Sequence, residues 1–494
     1  MKPATLIIST TLILLPAMTR GQDDDFSRYV EQQEEAFSQY VDKTTSDFRA
    51  YNDSINREFA RYLAETWPDF PLTFSEPPIK EPVPPAVYTP EPDSLPQKEQ
   101  PLPAIEPVPE PVPPVKPKPE PEPEFTPEPP AVETIEASFY GTPVQVKRGN
   151  YSLPRLTAVD EQSVAAYWTN LSQLPYHEII ANVNGMTRQL QLNDWGRYQA
   201  INTLFGTYFP GRSSSEQTVF AVFMLNQCGY RARIGRASGR LLPLIAFGCE
   251  VFNSMYFTFG DDRGTRYFVV NAEHMELKSV QSCRMEYAGA TKVMDMAMPV
   301  APRLAPSPAE CTLATAGGSR YRLQYDDGYN RLLATYPCVS MQIYAEAAPS
   351  EAFVQGLEMS LKAAIKNKPQ REAAGVLLDM VQNGFRYKTD ADQFGYERWF
   401  FPEETLASQY CDCEDRSFLF SRLVRSLLGM DVVLLYYPGK HVATAVHFDD
   451  PAVKGDYVTH GGKKYVVCDP TFIGAPVGMA MPDLGKLEII PLNN

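Results

Sequence analysis

The chain has 494 residues, of which 44% are hydrophobic, so it can form more than one folded domain and is not wholly disordered. Its formal net charge of −15 argues against a nucleic-acid partner, because such partners are bound through a basic face. Eight cysteines are too few for a disulfide-based scaffold. The longest apolar runs fall short of the roughly 20 residues that a membrane-spanning helix needs.

Residues 1–22 have the pattern of a secretory signal peptide. Lys2 precedes a short apolar run from Ala4 to Met18, and small and polar residues follow it. Because the run is short and interrupted by hydroxyl residues, a cleaved signal is favoured over an uncleaved anchor. We therefore expect an exported protein that is periplasmic, held at the cell surface or secreted.

Residues 23–67 carry an aromatic repeat with a period of 11 residues. This period corresponds to about 3.67 residues per turn, which keeps the aromatic side chains on one face of a helix. The repeat consists of Phe26, Phe37, Phe48, Phe59, Tyr29, Tyr40, Tyr51 and Tyr62. It predicts either self-association as a coiled coil or docking on an envelope partner, and the alternative is a helix that folds back on a later domain.

Residues 68–132 read as a linker rich in proline and glutamate. Of the 45 prolines in the chain, 23 fall between positions 71 and 130. Because proline lacks an amide donor and favours extended conformations, no packed fold is expected here. A spacer is favoured over a ligand for aromatic grooves.

Order resumes in two segments, 133–300 and 301–494, whose mixture of helical and strand-like patterns predicts an α+β fold for each. The most informative run, 411–429, begins Cys-Asp-Cys-Glu-Asp and ends at Gly429. Acidic residues suit a helix N-terminus and glycine suits its end, so Cys413 is placed at the first helical turn. Unpaired backbone amides at that position are expected to stabilise a thiolate.

A histidine and an aspartate follow this helix at the ends of apolar strands. His441 opens one predicted strand, and Asp469 closes another just before Pro470. Together with Cys413 they stand in the order of a Cys–His–Asp catalytic triad. Each of the three residues alone also has a purely structural explanation. Cys413 can be a core cysteine, His441 a polar residue at a strand end, and Asp469 the start of a turn before proline.

These residues resemble the transglutaminase-like superfamily, in particular its exported bacterial cysteine-peptidase-like members. The similarity covers about residues 350–480 and includes Asp412-Cys413-Glu414-Asp415, His441, Asp469-Pro470-Thr471 and the lead-in from Phe394 to Glu404. It implies a papain-like α+β core with Cys413 as nucleophile, His441 as general base and acid, and Asp469 as the residue that orients the histidine. It also implies attack on an amide carbonyl through a thioester.

Several assignments within this site stay open at the level of sequence. Cys411 is the rival nucleophile, although the acidic pair that follows Cys413 fits the family pattern better. His447 is the rival histidine, but about 20 Å of extended strand would separate it from His441. Gln409 and Trp399 are the expected substrate-binding residues, and Gln409 or the Cys413 amide would stabilise the oxyanion.

The first segment reads as a degenerate copy of the second, and the alternative is an unrelated α+β domain. Ser213, Ser214 and Ser215 precede a helix-like run where the second segment has cysteine, and Asn271-Ala272 stand where it has Asp-Pro. His274 falls beyond the strand where a catalytic histidine is needed. We expect this segment to bind or pack rather than catalyse.

The order of the three residues predicts an exported cysteine peptidase or amidase that acts on peptide or isopeptide amides of a protein or peptide substrate. The alternatives are a protein cross-linking transglutaminase, with a lysine amine in place of water, and a non-enzymatic envelope scaffold. The sequence has no metal-ligand spacing, no phosphate-binding glycine loop and no nucleotide fingerprint, so no metal or cofactor is expected.

Overall fold

The computed structural model describes residues 50–80, 82–89, 100–105, 133–260, 264–272 and 275–493. The chain divides into two units between Glu58 and Phe59. Of the first unit the structure describes residues 50–58, which are helical. The second unit begins at Phe59; its helical residues 59–63 are labelled α1, and it includes every other element of the described residues. The predicted signal peptide lies outside the described residues. So do five residues of the aromatic repeat, Phe26, Tyr29, Phe37, Tyr40 and Phe48.

The last aromatic pair of the 11-residue repeat lies in the second unit. The Phe59 ring packs 4.9 Å from the Trp168 ring and 5.4 Å from the Tyr287 ring, and Leu63 is buried one turn later. This end of the repeat is therefore part of a folded core, as in the fold-back alternative.

The proline-rich segment contributes three short strands, β1 (Asp69–Pro71), β2 (Thr73–Ser75) and β3 (Ala104–Ile105). The expectation that 68–132 lacks packed structure is thus wrong for residues 69–80, 82–89 and 100–105. The physical reason is that residues between the prolines keep their amide protons and can add to the edge of a sheet. Residues 106–132 lie outside the described part of the chain.

The first half of the second unit starts with a hairpin, continues through four helices and ends in a sheet. Its elements are β4 (Thr134–Phe139), β5 (Thr142–Lys147), α2 (Glu161–Gln173), α3 (Tyr176–Gln189), α4 (Asp194–Tyr208), α5 (Ser214–Gln227), β6 (Ala232–Ala237), β7 (Arg240–Ile245), β8 (Ser254–Phe259), β9 (Thr265–Val269) and β10 (Ser279–Ser282). The core lies between α5 and the sheet, and α5 is buried on nearly every side.

The second half repeats this order of a hairpin, helices and a sheet. Its elements are β11 (Pro308–Ala314), β12 (Arg320–Asp326), α6 (Asp327–Leu333), α7 (Met341–Glu346), α8 (Glu351–Ser360), α9 (Lys362–Ile365), α10 (Gln370–Gly384), β13 (Arg386–Tyr387), α11 (Asp390–Phe394), α12 (Pro402–Ala407), β14 (Tyr410–Cys411), α13 (Cys413–Leu428), β15 (Val432–Tyr437), β16 (His441–Val446), β17 (Tyr457–His460), β18 (Lys463–Cys468) and β19 (Leu487–Pro491). The chain is therefore of mixed α+β class.

The two sheets have the same topology. Strands that follow α5 are arranged β8-β9-β7-β6-β10, and strands that follow α13 are arranged β17-β18-β16-β15-β19. Each of these neighbouring pairs is antiparallel. If the strands of each half are counted from the helix that precedes them, the two sheets have the same strand order. A duplicated unit would have this property.

The proline-rich segment extends both sheets. β1 pairs with β10 and β2 with β8, whereas β3 pairs with β19 and Pro101 bridges to Tyr457 in β17. Among the described residues, no helix is both long and apolar enough to cross a membrane.

Candidate functional site

Helix α13 begins and ends where the sequence predicts. Asp412 occupies the N-cap position in an extended conformation, Cys413 is the first helical residue, and Gly429 ends the helix with a left-handed φ of 63°. A glycine adopts this conformation without the penalty that a Cβ atom would add. Since α13 packs against β15 and β16, the helix start faces the strand that begins at His441.

His441 and Asp469 form the best-defined contact of the site. The register that pairs Thr444 with Cys468 brings the beginning of β16 beside the end of β18. His441 Nε2 lies 2.9 Å from Asp469 Oδ2 in a buried contact. The other carboxylate oxygen, Oδ1, accepts hydrogen bonds from the Thr471 and Phe472 amides at 2.8 and 3.2 Å. Asp469 is thus held in one orientation and fixes the imidazole ring.

Gln382 on α10 holds the loop that carries Asp469. Its side-chain amide donates to the carbonyl oxygens of Asp469, Phe472 and Ala475 at 2.9, 2.8 and 3.1 Å. Its Oε1 accepts from the Gly474 amide at 3.1 Å. Gln382 is therefore a positioning residue for the His441–Asp469 pair. The sequence gives no local signal for it, because it lies nearly 90 positions before the loop that it holds.

Cys413 is adjacent to this pair, but its thiol proton is directed elsewhere. The Val442 amide donates to the thiol, which places the sulfur beside the residue that follows His441. Cys413 Sγ itself donates to Glu414 Oε2 at 2.9 Å. Within the described residues, His441 Nδ1 is buried without a hydrogen-bond partner, so it is the ring nitrogen available to a nearby thiol.

The thiolate expected at the helix start is not favoured in this closed arrangement. Burial raises the pKa of Cys413 well above its ordinary value, and the Glu414 and Asp412 carboxylates raise it further. Cys413 and His441 are both 0% exposed. The thiolate is disfavoured because the loss of solvent, together with two adjacent carboxyl groups, outweighs the backbone amides at the helix start.

The rival residues occupy different environments. Cys411 lies in the short strand β14 and belongs to the hydrophobic core, where burial raises its pKa to about 12. His447 lies past the end of β16, and its Nδ1 is 2.8 Å from the Lys464 carbonyl oxygen. Cys468 is likewise a buried core residue. Of these side chains, none lies in a described hydrogen bond with Asp469.

The two expected substrate-binding residues differ in exposure and in their contacts. The Gln409 side chain is exposed, and the backbone carbonyl oxygen of Gln409 accepts a hydrogen bond from the Arg386 amide. Trp399 is buried, donates from Nε1 to Glu397 at 2.8 Å, and lines a cavity of about 650 Å³. The described lining of that cavity does not include Cys413, His441 or Asp469.

A cluster of buried carboxylates surrounds the start of α13. Asp390, Asp412 and Glu414 each present an oxygen atom, and these atoms lie within 4.8 Å of one another. Burial and the neighbouring carboxylates raise the pKa of Asp390 to about 11, and burial together with the Glu397 carboxylate raises the pKa of Asp412 to about 7. An all-oxygen donor set of this kind could hold a hard divalent cation. Asp390 precedes the other two by more than 20 residues, so the sequence alone does not group them.

In the described residues of the first half, other side chains stand where the second half has Cys413, His441 and Asp469. Ser213 caps α5, and the Ser215 hydroxyl accepts from the Leu241 amide, as the Cys413 thiol does from the Val442 amide. Arg240 begins β7 where His441 begins β16, and Asn271 follows β9. His274 lies outside the described residues.

A segment of the proline-rich region crosses the site. We call residues 76–80 and 82–88 the strap. Its Val83 amide donates to the carbonyl oxygen of Lys440, the residue directly before His441, at 3.0 Å. Further along, the Tyr88 amide donates to the Ile473 carbonyl oxygen, and the Ile473 amide donates to Ala86, both at 2.8 Å. The strap therefore runs from the loop before His441 to the loop after Asp469.

Comparison of the chain with protein-family models, with curated proteins and with solved structures gave no match.

Proposed function

We propose that the chain is an exported thiol-dependent hydrolase, a peptidase or amidase, whose second half is a papain-like, transglutaminase-like unit. The observation that carries this proposal is the buried 2.9 Å contact between His441 and Asp469 beside the Cys413 thiol. Export is supported by the pattern of residues 1–22. The arrangement of a cysteine at a helix start, facing a histidine on an antiparallel strand, suits nucleophilic attack on a carbonyl.

In the proposed reaction His441 Nδ1 takes the thiol proton and the Cys413 sulfur attacks the amide carbon, forming a C–S bond. The C–N bond then breaks, and the imidazolium returns its proton to the departing amine. A water molecule, deprotonated by the same nitrogen, attacks the thioester, which releases a carboxylic acid and restores the thiol. Asp469 accepts from Nε2 throughout, keeps the ring in position and stabilises its positive charge.

Two changes must accompany this reaction, given the closed geometry. The thiol proton has to turn from Glu414 to His441, and the site has to open so that a substrate can reach the sulfur. Turning away from Glu414 removes a hydrogen bond that holds the thiol in its neutral form.

The test is hydrolysis of a broad panel of peptide and isopeptide amides. It is run on the full chain and on an Ile79→Asp chain, because Ile79 is 3% exposed in the strap and an aspartate there should displace it. Cys413→Ala, introduced into both chains, should reduce turnover on the order of 10³-fold or more. Asp469→Asn should reduce it by about 10- to 10⁴-fold, because the histidine loses its orienting carboxylate.

Cys411→Ala is the matched control, since Cys411 is an equally buried cysteine two positions away. It should leave turnover within a few-fold of the parent chain. Equal rates for the Cys413→Ala chains and their parents on every substrate would contradict the proposal. Incorporation of a labelled primary amine in place of hydrolysis would assign the chemistry to cross-linking.

One observation favours the non-enzymatic scaffold as the second candidate. The thiol and the imidazole are both 0% exposed, and the Cys413 proton is shared with Glu414. If displacement of the strap left Cys413 no more reactive towards iodoacetamide than a core cysteine, the scaffold would be the better description.

A further inference from the structure

The strap is bound mainly through its backbone. At its first end the Gly439 amide donates to the Pro78 carbonyl oxygen at 3.1 Å, and the Lys80 amide donates to the Gly439 carbonyl oxygen at 3.2 Å. The Tyr436 hydroxyl also donates to Pro78, at 2.9 Å. The bridges of Ile79 with Gly439 and of Val87 with Ile473 are both parallel. This is how an extended peptide pairs with strand ends and loops.

The residues that bind the strap flank the proposed reactive pair. Lys440 is joined directly to His441, and the Phe472 amide, next to Ile473, donates to Asp469. Tyr387 also contacts the strap, because its hydroxyl donates to the Val83 carbonyl oxygen at 3.5 Å. The strap therefore lies across the site.

Side chains of the strap fill apolar positions beneath it. Val83, Ala86 and Tyr88 pack against the hydrophobic cluster of the second-half sheet, and the Tyr88 ring is 5.8 Å from the Phe472 ring. Ile79 is buried, whereas Val87 is 72% exposed. Over Ala86, Val87 and Tyr88 the side chains point inward, outward and inward, as they do in an extended peptide. Prolines keep such a peptide extended at a low entropic cost.

We infer that the groove between the 438–440 turn and the 471–474 loop is a binding site for extended, proline-containing peptide segments, and that the strap occupies it as an internal inhibitor. This inference rests on the proposed function, since it identifies the groove as the place where a substrate peptide lies. It assigns the specificity to backbone pairing with Gly439, Lys440 and Ile473 and to apolar side chains that pack against the sheet. Substrate would enter only after the strap leaves.

Because the strap is part of the same chain, it competes with any free peptide at a local concentration on the order of millimolar. A free peptide should therefore bind weakly to the intact protein and much more tightly after the strap has been displaced. The two affinities can be measured without any hydrolysis.

The experiment uses the full chain with residues 76–88 replaced by a Gly/Ser linker of equal length, which leaves β1, β2 and β3 in place. A fluorescent synthetic peptide with the sequence of residues 76–88 is titrated against this chain and against the parent, and anisotropy is measured. We expect binding to the linker chain at least 10-fold tighter than to the parent. Iodoacetamide labelling of Cys413 should be at least 10-fold faster in the linker chain, and saturating peptide should slow it again.

Two point variants give a test that does not depend on the folding of the linker chain. Ile79→Asp, at a buried strap position, should accelerate labelling of Cys413, whereas Val87→Asp, at an exposed one, should not. Unchanged circular dichroism and melting temperature identify variants that are folded.

The outcomes separate this inference from the proposed function. Peptide binding to a Cys413→Ala version of the linker chain, with no hydrolysis by the linker chain itself, would retain the groove and reject the enzyme. Equal labelling rates in parent, linker and Ile79→Asp chains, together with no peptide binding, would overturn the inference. Hydrolysis at the same rate with and without the strap would also overturn it.

Discussion

Replacement of Gln382 by alanine should destabilise the protein and loosen the loop that carries Asp469. Gln382 is 3% exposed, and its side chain makes contacts with three carbonyl oxygens and one amide. Its two amide protons are shared among the three carbonyl oxygens, so about three hydrogen bonds are lost. At about 1–1.5 kcal/mol for each bond, the expected loss in the free energy of unfolding is about 3–4.5 kcal/mol.

Gln370 provides a matched control on the same helix. It makes two hydrogen bonds with Asp449, at 2.7 and 3.0 Å, but in an exposed setting where water can replace them. Gln370→Ala should therefore cost about 1 kcal/mol or less. Urea denaturation followed by circular dichroism gives both values.

A second measurement separates positioning from stability. In the linker chain that lacks the strap, Gln382→Ala should slow iodoacetamide labelling of Cys413 at pH 7, because a mobile Asp469 no longer orients His441. If Gln382→Ala and Gln370→Ala lost the same stability to within about 1 kcal/mol and were labelled at the same rate, Gln382 would not be a positioning residue.

Two further predictions concern stability. Burial raises the pKa of the Glu403 carboxyl from 4.5 to about 7. Hydrogen bonds from the Ser350 amide, the Ser350 hydroxyl and the Asp326 amide act in the opposite direction. Between these two pH values the folded state therefore holds a proton that the unfolded state has lost. The stability linked to the neutral Glu403 carboxyl is fully present below pH 4.5 and is lost as the pH rises through 7. In urea denaturation, wild type should lose about 3 kcal/mol more than Glu403→Gln between about pH 4.5 and 8. Parallel stability profiles for the two proteins would contradict the assignment. Gly455 has a φ of 147°, and a Cβ atom there would meet the Gly478 backbone, so Gly455→Ala should cost about 3 kcal/mol or more. Gly461→Ala, at a positive φ with open space around it, should cost about 1 kcal/mol, and equal melting temperatures for the two variants would count against the steric explanation.

The parts of the site that could be predicted are those with local signals. The acidic residues after Cys413 and the glycine at 429 define α13, and the apolar runs that begin at His441 and end before Asp469 define two strands of the sheet that packs against it. Each signal acts through neighbouring residues, because capping and strand periodicity depend on the nearest few positions.

The features that escaped prediction depend on contacts between distant positions. Gln382 reaches a loop nearly 90 residues away, Asp390 joins Asp412 and Glu414 across more than 20 residues, and Val83 pairs with Lys440. The protonation of Cys413 was predicted wrongly for the same reason, since a helix start is visible in the sequence but the degree of burial is not. Composition also led to the wrong prediction that the proline-rich segment lacks packed structure. Residues of this segment other than proline can still pair with the edges of a sheet.

The edge strands contributed by the proline-rich segment have a consequence for the order of folding. β1 pairs Asp69 with Gln281, and β3 pairs Ala104 with Leu487, so these contacts close loops of more than 200 and more than 380 residues. Such non-local pairings form late, although the segment itself leaves the ribosome early. Both sheets therefore expose their outer strands until the segment docks, and open strand edges promote aggregation. A newly made chain should accordingly pass through a stage in which both halves are folded while the thiol of Cys413 is still uncovered.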